Sequence, residues 1–121
     1  MHTTVTLTVS EGKRLIAKAL ARTDVVQTAL DEGIVAVAPG TTNGYVVEEL
    51  TGEAIDKRCF VTGNTLPSGY EGPRPEKSLP DLVLKRGEKQ DMAATEAIQE
   101  MGAGDVFIKG VNAINLDLDQ A

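Results

Sequence analysis

The sequence predicts a single α/β domain, residues 1–121, built around a mostly parallel sheet, and three observations carry that expectation. Short apolar runs, Ile34 to Ala38 and Asp105 to Lys109, alternate with stretches whose apolar residues recur at helical spacing. A chain of 121 residues is the size of one ordinary domain and buries one core without metal or disulfide staples. Its 41% apolar and 25% charged residues are the composition of a globular chain, which argues against disorder throughout.

The elements follow in order. Thr4 to Val9 alternates Thr with Val or Leu, the period of an edge strand with one face buried. Ser10 is a helix N-cap type, and Leu15, Ile16, Ala19 and Leu20 then recur at helical spacing. A second set, Val25, Val26, Ala29 and Leu30, follows Thr23 and Asp24. Residues 11 to 32 therefore read as one broken helix or two short ones, the second fitting better because Thr23 and Asp24 are natural caps. Gly33 supplies the stop.

Ile34 to Ala38 is a small and β-branched run, typical of a strand covered on both faces. Pro39 to Asn43 turns the chain, and Gly44 to Leu50 reads as a short helix ended by Gly52. Its Val46, Val47 and Leu50 point inward and Glu48 and Glu49 form a solvated outer face. Strand, turn and helix make the first half of a βαβ unit, whose crossover onto a parallel neighbour is right-handed; Arg58 to Thr62 is the expected neighbour. Residues 63 to 80 hold Gly63, Pro67, Gly69, Gly72, Pro73, Pro75 and Pro80, a long loop expected to be a cover or a subunit contact, with an unstructured insertion as the alternative. Asp81 to Lys85 is a further strand. Asp91 is expected to cap a helix carrying Ala93, Ala94, Ala97, Ile98 and Met101, closed by Gly102 and Gly104, before the strand Asp105 to Lys109.

Charge and composition exclude several functions. The net charge of −6 opposes a phosphate backbone, and no basic run is longer than Lys57-Arg58 or Lys85-Arg86, so nucleic acid is not an expected partner. With two Tyr and two Phe, stacking platforms for bases are hard to assemble. Cys59 is the single cysteine, which rules out an intrachain disulfide and suits a reducing compartment. Within its apolar run it reads as an inert buried thiol, and His2 near the terminus is the single imidazole, so a Cys/His pair is not expected. Neither a signal peptide nor an apolar run long enough for a membrane span is present, which makes the cytoplasm the expected location. Asp117 and Asp119 alternate with Leu and lack the glycine and distal Glu of a calcium loop, so no metal site is expected. No cofactor is implied.

Two segments qualify as ligand sites. The first is Gly40-Thr41-Thr42-Asn43-Gly44, between strand and helix. The start of a helix leaves backbone N–H groups unpaired and carries partial positive charge, so an anion is favoured there. Glycine lets the backbone approach such a ligand, and Thr41 and Thr42 add hydroxyl donors. The turn also lies at the carboxyl end of a strand, where open α/β sheets bind ligands. The plainer alternative is that Gly40 and Gly44 serve the turn while Thr42 or Asn43 caps the helix. The second segment follows the strand Asp105 to Lys109: Lys109 would balance negative charge, and Asn112 and Asn115 would donate and accept. Its plainer alternative is a solvated lysine beside turn-forming asparagines. Parallel strands would bring both segments to one side of the sheet.

Together the helix at 11 to 32, the strand Ile34 to Ala38, and Gly40-Thr41-Thr42 followed by Tyr45-Val46-Val47-Glu48-Glu49-Leu50 resemble the superfamily of ribose-5-phosphate isomerase, glucosamine-6-phosphate deaminase, coenzyme A transferases and folate cyclo-ligases. The resemblance covers roughly residues 11 to 52 and 103 to 115. It implies a Rossmann-like sheet and a phosphate loop at Gly40, Thr41 and Thr42, with Ala38 and Pro39 in the loop's first two places. The isomerase pattern Asp-Gly-Ala-Asp-Glu is matched by Lys109-Gly110-Val111-Asn112-Ala113, which keeps the glycine and lacks the carboxylates. An amide cannot serve as general base, so the implied function is binding of a phosphorylated or carboxylated metabolite by an enzyme or former enzyme. The alternative is a non-catalytic subunit or assembly module. The chain also looks like the front portion of that fold, so it is expected either to be a piece of a longer chain or to complete its core by self-association into a homo-oligomer.

Overall fold

The computed structural model describes residues 1–62, 68–69, 77–111, 113, 115 and 117. Four helices and four strands follow in the order α1 (Val9–Ala21), α2 (Asp24–Glu32), β1 (Ile34–Val37), α3 (Asn43–Thr51), β2 (Leu82–Lys85), β3 (Glu88–Gln90), α4 (Ala94–Glu100) and β4 (Val106–Ile108). Among the described residues no helix is long and apolar enough to cross a membrane.

The expected strand at Thr4 to Val9 does not form. Thr8 instead caps α1: its hydroxyl accepts from the Glu11 amide at 3.2 Å, and the Glu11 carboxylate accepts from the Thr8 amide at 2.7 Å. This reciprocal pair draws the end of the alternating run into a helix start, two residues ahead of Ser10. Val5, Leu7 and Val9 stay exposed. The break at Thr23 is real, although its hydroxyl donates back to the Leu20 carbonyl at 2.8 Å and closes α1 rather than capping α2. Gly52 ends α3 with φ 71°, a left-handed conformation that favours glycine. The start of α4 is held by Asp81, whose carboxylate accepts from the Ala94 amide at 2.7 Å, and not by Asp91.

The sheet has the order β3-β2-β1-β4. Only β1 and β4 run parallel (Val35 opposite Val106, Val37 opposite Ile108); β1–β2 and β2–β3 are antiparallel. Among the described residues, then, an α/β arrangement is present while the sheet is not mostly parallel. The β2–β3 pair follows from the hairpin at Arg86 and Gly87, whose φ values of 49° and 76° are both positive, as a two-residue turn matched to strand twist requires. Arg86 is held in this unusual conformation by donating its amide to the Gly33 carbonyl at 2.8 Å. The expected neighbour strand Arg58 to Thr62 is also absent. Its Cys59 and Phe60 amides are spent on turns, donating to the Asp56 and Lys57 carbonyls, and it contributes Phe60 to the core. The loop at 63 to 80 lies largely outside the described residues. Its described end, Leu79, donates to the Cys59 carbonyl at 2.7 Å.

The period of two along each strand sorts the core into two layers. Val35, Val37, Leu82, Leu84 and Ile108 face α1, α2, α3 and Phe60, while Ala36 and Val83 face Ala94 and Ala97 of α4. Small residues on the second face let α4 lie close to the sheet.

Glu48 and Glu49, read from sequence as solvated, instead join α1 to α3. Arg14 reaches both carboxylates, at 2.8 Å to Glu49 and in direct contact with Glu48, and Lys57 meets Glu48 at 2.6 Å. Both cations also flank the Tyr45 ring, 4.8 and 5.0 Å from its centre. Burial alone would raise the Glu48 carboxyl, but hydrogen bonds from Lys57, Arg14 and the Ile55 amide outweigh it and hold the group down at about 2. A folded pKa below the ordinary 4.5 contributes stability that is complete above the unfolded value and is lost as pH falls from about 4.5 towards about 2. Glu48→Gln is therefore expected to lower stability by about 1–2 kcal/mol at neutral pH, with the deficit shrinking in acid. Urea unfolding at pH 7 and pH 3 checks this; a deficit independent of pH would contradict it.

Candidate functional site at the carboxyl ends of β1 and β4

The parallel pairing of β1 with β4 decides where the two sequence segments meet. One residue beyond the ladder the Ala38 amide donates to the Ile108 carbonyl at 2.9 Å, so both strands release their chains at the same level. A cleft of about 360 Å³ opens there, lined by residues 38 to 43, Val61, Thr62 and the stretch Lys109 to Val111. That size falls within the usual range of small-molecule clefts. Asn112 lies outside the described residues.

The hydrogen bonds of the turn divide its five residues by role. The Gly40 amide donates to the Phe60 carbonyl at 2.9 Å and the Gly44 amide to the Gly40 carbonyl at 3.0 Å, so neither is available to a ligand. The amides of Thr41, Thr42 and Asn43 make no hydrogen bond among the described residues. Those three are the donors an anion would use. Thr42 is the residue before α3, yet its side chain makes no capping bond, which leaves the hydroxyl uncommitted.

Asn43 belongs to the scaffold. It is buried, and its side-chain amide donates to the Ala38 carbonyl at 2.8 Å and reaches the Ile108 carbonyl at 3.5 Å, tying the turn to both strands. The glycines are also structural. Gly40 has no positive φ, and a Cβ there would meet Asn43 at an ordinary 3.6 Å. At Gly44 a Cβ would come within 2.8 Å of Lys57 Cγ, so α3 can sit against the Lys57 stem only without a side chain.

One charged residue at the turn escapes a reading based on local motifs. Lys13 of α1 donates to the Thr41 hydroxyl at 3.0 Å, so a lysine 28 positions upstream adjoins the turn. Only a packing contact between α1 and α3 brings it there, and no local spacing announces it. Lys109 is on the cleft wall; its ammonium donates to the adjacent Gly110 carbonyl at 3.3 Å and is exposed. Among the described lining residues there is no carboxylate, imidazole or thiol. Cys59 is half-buried, and burial followed by the nearby Asp56 pushes its thiol up.

A larger hollow of about 650 Å³ sits at the opposite, amino end of β1. Three of its charged groups are already engaged. Lys85 pairs with Glu100 at 2.6 Å, and the Asp105 carboxylate accepts from the Gly102 and Ile34 amides at 2.7 Å each, bonds that hold it below the usual range. It clamps the start of β1 to the start of β4. Among the described residues no group of acidic, His or Cys side chains has the arrangement of a metal site.

Gly44→Ala forces Lys57 or α3 to move and is expected to cost about 1–3 kcal/mol, the usual range for overpacking. Gly40→Ala, with ordinary room for its methyl, is expected to cost less. Chemical denaturation of the two variants side by side measures the contrast, and equal losses would contradict it.

No protein-family model, curated protein or solved structure matches the chain, so the use of this cleft is argued from its own residues.

Proposed function

We propose that the protein binds a small anionic metabolite, phosphorylated or carboxylated, in the cleft between the Thr41-Thr42 turn and Lys109. The observation that carries this reading is the coincidence of uncommitted donors with positive charge: three backbone amides without a partner among the described residues, the Thr42 hydroxyl, Lys109 on the cleft wall and Lys13 against Thr41. Amides at a helix start stabilise negative charge, and lysines add point charges that suit phosphate or carboxylate. Such a loop after an early strand also suits the Rossmann-like superfamily of sugar-phosphate isomerases and coenzyme A transferases, with the binding half of that chemistry kept. On this reading Asn112, one position past Val111 in the chain, would be a further contact. A reducing cytoplasmic setting suits the single Cys59.

One observation favours binding without turnover. The described lining of the cleft supplies no group able to act as general base or nucleophile, so a non-catalytic subunit or regulatory module is the second reading.

Thermal shift with inorganic phosphate, sugar phosphates, coenzyme A, folates and nucleotides tests the proposal. A ligand present at a hundredfold excess over its dissociation constant is expected to stabilise the protein by about 2.7 kcal/mol. Calorimetric titration of Lys109→Ala, and separately of Thr41→Val with Thr42→Val, is expected to show affinity reduced about tenfold with unfolding midpoints little changed. Stabilisation that survives both sets of substitutions would place the ligand elsewhere. No stabilisation by any anion would leave the assembly reading.

A further inference from the structure

Helix α1 is apolar on two opposite faces. Ala17 and Ala21 pack into the core, while Gly12, Leu15, Ile16 and Ala19 recur at i, i+3, i+4 and i+7 on the other side. Leu15 and Ile16 are 59% and 56% exposed, and Val9, at the start of the helix, is 75% exposed. A helix of a monomer normally carries charge on that side. Here the charge is displaced to one flank: Glu11 near the amino end, Lys18 and Arg22 towards the carboxyl end, all exposed. Lys18 and Arg22 form no ion pair among the described residues.

We propose that this face of α1 pairs with the same face of a second copy of the chain, the two helices antiparallel about a two-fold axis near Leu15 and Ile16. Charge order selects both the occupant and the direction. In an antiparallel pair the same flank of each helix lies side by side, so Glu11 of each copy comes beside Lys18 and Arg22 of the other. A parallel pair lacks that complementarity and aligns the helix dipoles unfavourably. Size complements charge: in this register Gly12 lies opposite Ala19 and Leu15 opposite Ile16, so small residues let the backbones approach where large ones fill the centre. A Cβ built on Gly12 meets nothing within 4 Å, which leaves that approach open. The contact is isologous, as most homodimer interfaces are. Lys13, which adjoins the candidate cleft, lies on the same helix, so pairing would fix the element that delivers it.

Sedimentation equilibrium from micromolar to millimolar protein is expected to show a monomer–dimer equilibrium. Ile16→Glu should give the monomer mass throughout, and Lys18→Glu with Arg22→Glu should raise the dimer dissociation constant at least tenfold; these side chains are solvent-exposed in the monomer, and far-UV circular dichroism verifies that each variant folds. In a Cys59→Ser background, oxidising Gly12→Cys protein mixed with Ala19→Cys protein should give mixed disulfide dimers. Monomer mass for the unaltered chain at all concentrations, a dimer insensitive to both charge-bearing variants, or a parallel crosslinking pattern would each overturn the proposal.

Discussion

Two strands leaving the sheet side by side, in the same direction, set the geometry on which the candidate site depends. The β1–β4 ladder runs from Val35 and Val106 to Val37 and Ile108 and is extended by the Ala38 amide on the Ile108 carbonyl. Asp105 clamps the amino ends of the pair through the Ile34 amide, and the buried Asn43 amide clamps the carboxyl ends. Both clamps are side-chain groups bonded to backbone in partly or fully buried places, where a missing partner would be costly. The separation of the turn from Lys109 is thus held by the sheet and does not rely on the loops themselves.

The same economy explains why only part of the turn is free. A tight strand-to-helix turn must satisfy its buried amides, and it does so with Gly40 on Phe60 and Gly44 on Gly40. Among the described residues no partner remains for the three consecutive amides between them, which leaves them to water or an anion. Glycine at position 44 has a further use, since α3 can lie on the Lys57 stem only where no Cβ projects. That contact places Lys57 beside Glu48, and Glu48 in turn holds Arg14 of α1. Packing at one glycine is therefore coupled to the position of α1, from which Lys13 reaches Thr41.

Features governed by neighbours in the chain were legible in the residues, and features governed by distant partners were not. The split of the first helix at Thr23 and Asp24, the strand at Ile34, the turn at Gly40 and the stop at Gly52 all rest on local conformational preference. So did the convergence of the Gly40 turn with Lys109, because it followed from strand direction alone. Thr4 to Val9 misled because alternation marks a strand only when another strand is there to pair with, and the Thr8–Glu11 capping pair won locally. The antiparallel hairpin was hidden because Arg86-Gly87 is not one of the common turn dipeptides and Arg86 owes its conformation to Gly33. Glu48 looked solvated since its cations lie 34 positions before it and 9 after it.

Net charge and local charge point in opposite directions. A chain of net charge −6 repels anions at long range, yet Lys13 adjoins the turn and Lys109 stands on the cleft wall with no carboxylate among the described lining residues. At physiological ionic strength the charges of the remaining surface are screened beyond about 8 Å, so what an anion meets within the cleft is decided by the nearest groups. Among the described residues those groups are two lysines, a helix start and three amides without a partner. Glu48 and Glu49, on the helix that leaves the turn, are engaged with Arg14 and Lys57 and offset those cations rather than the lysines at the cleft. The ion-pair cluster therefore does two things at once: it fastens α1 to α3, and it leaves Lys13 and Lys109 as the charges that an incoming anion encounters.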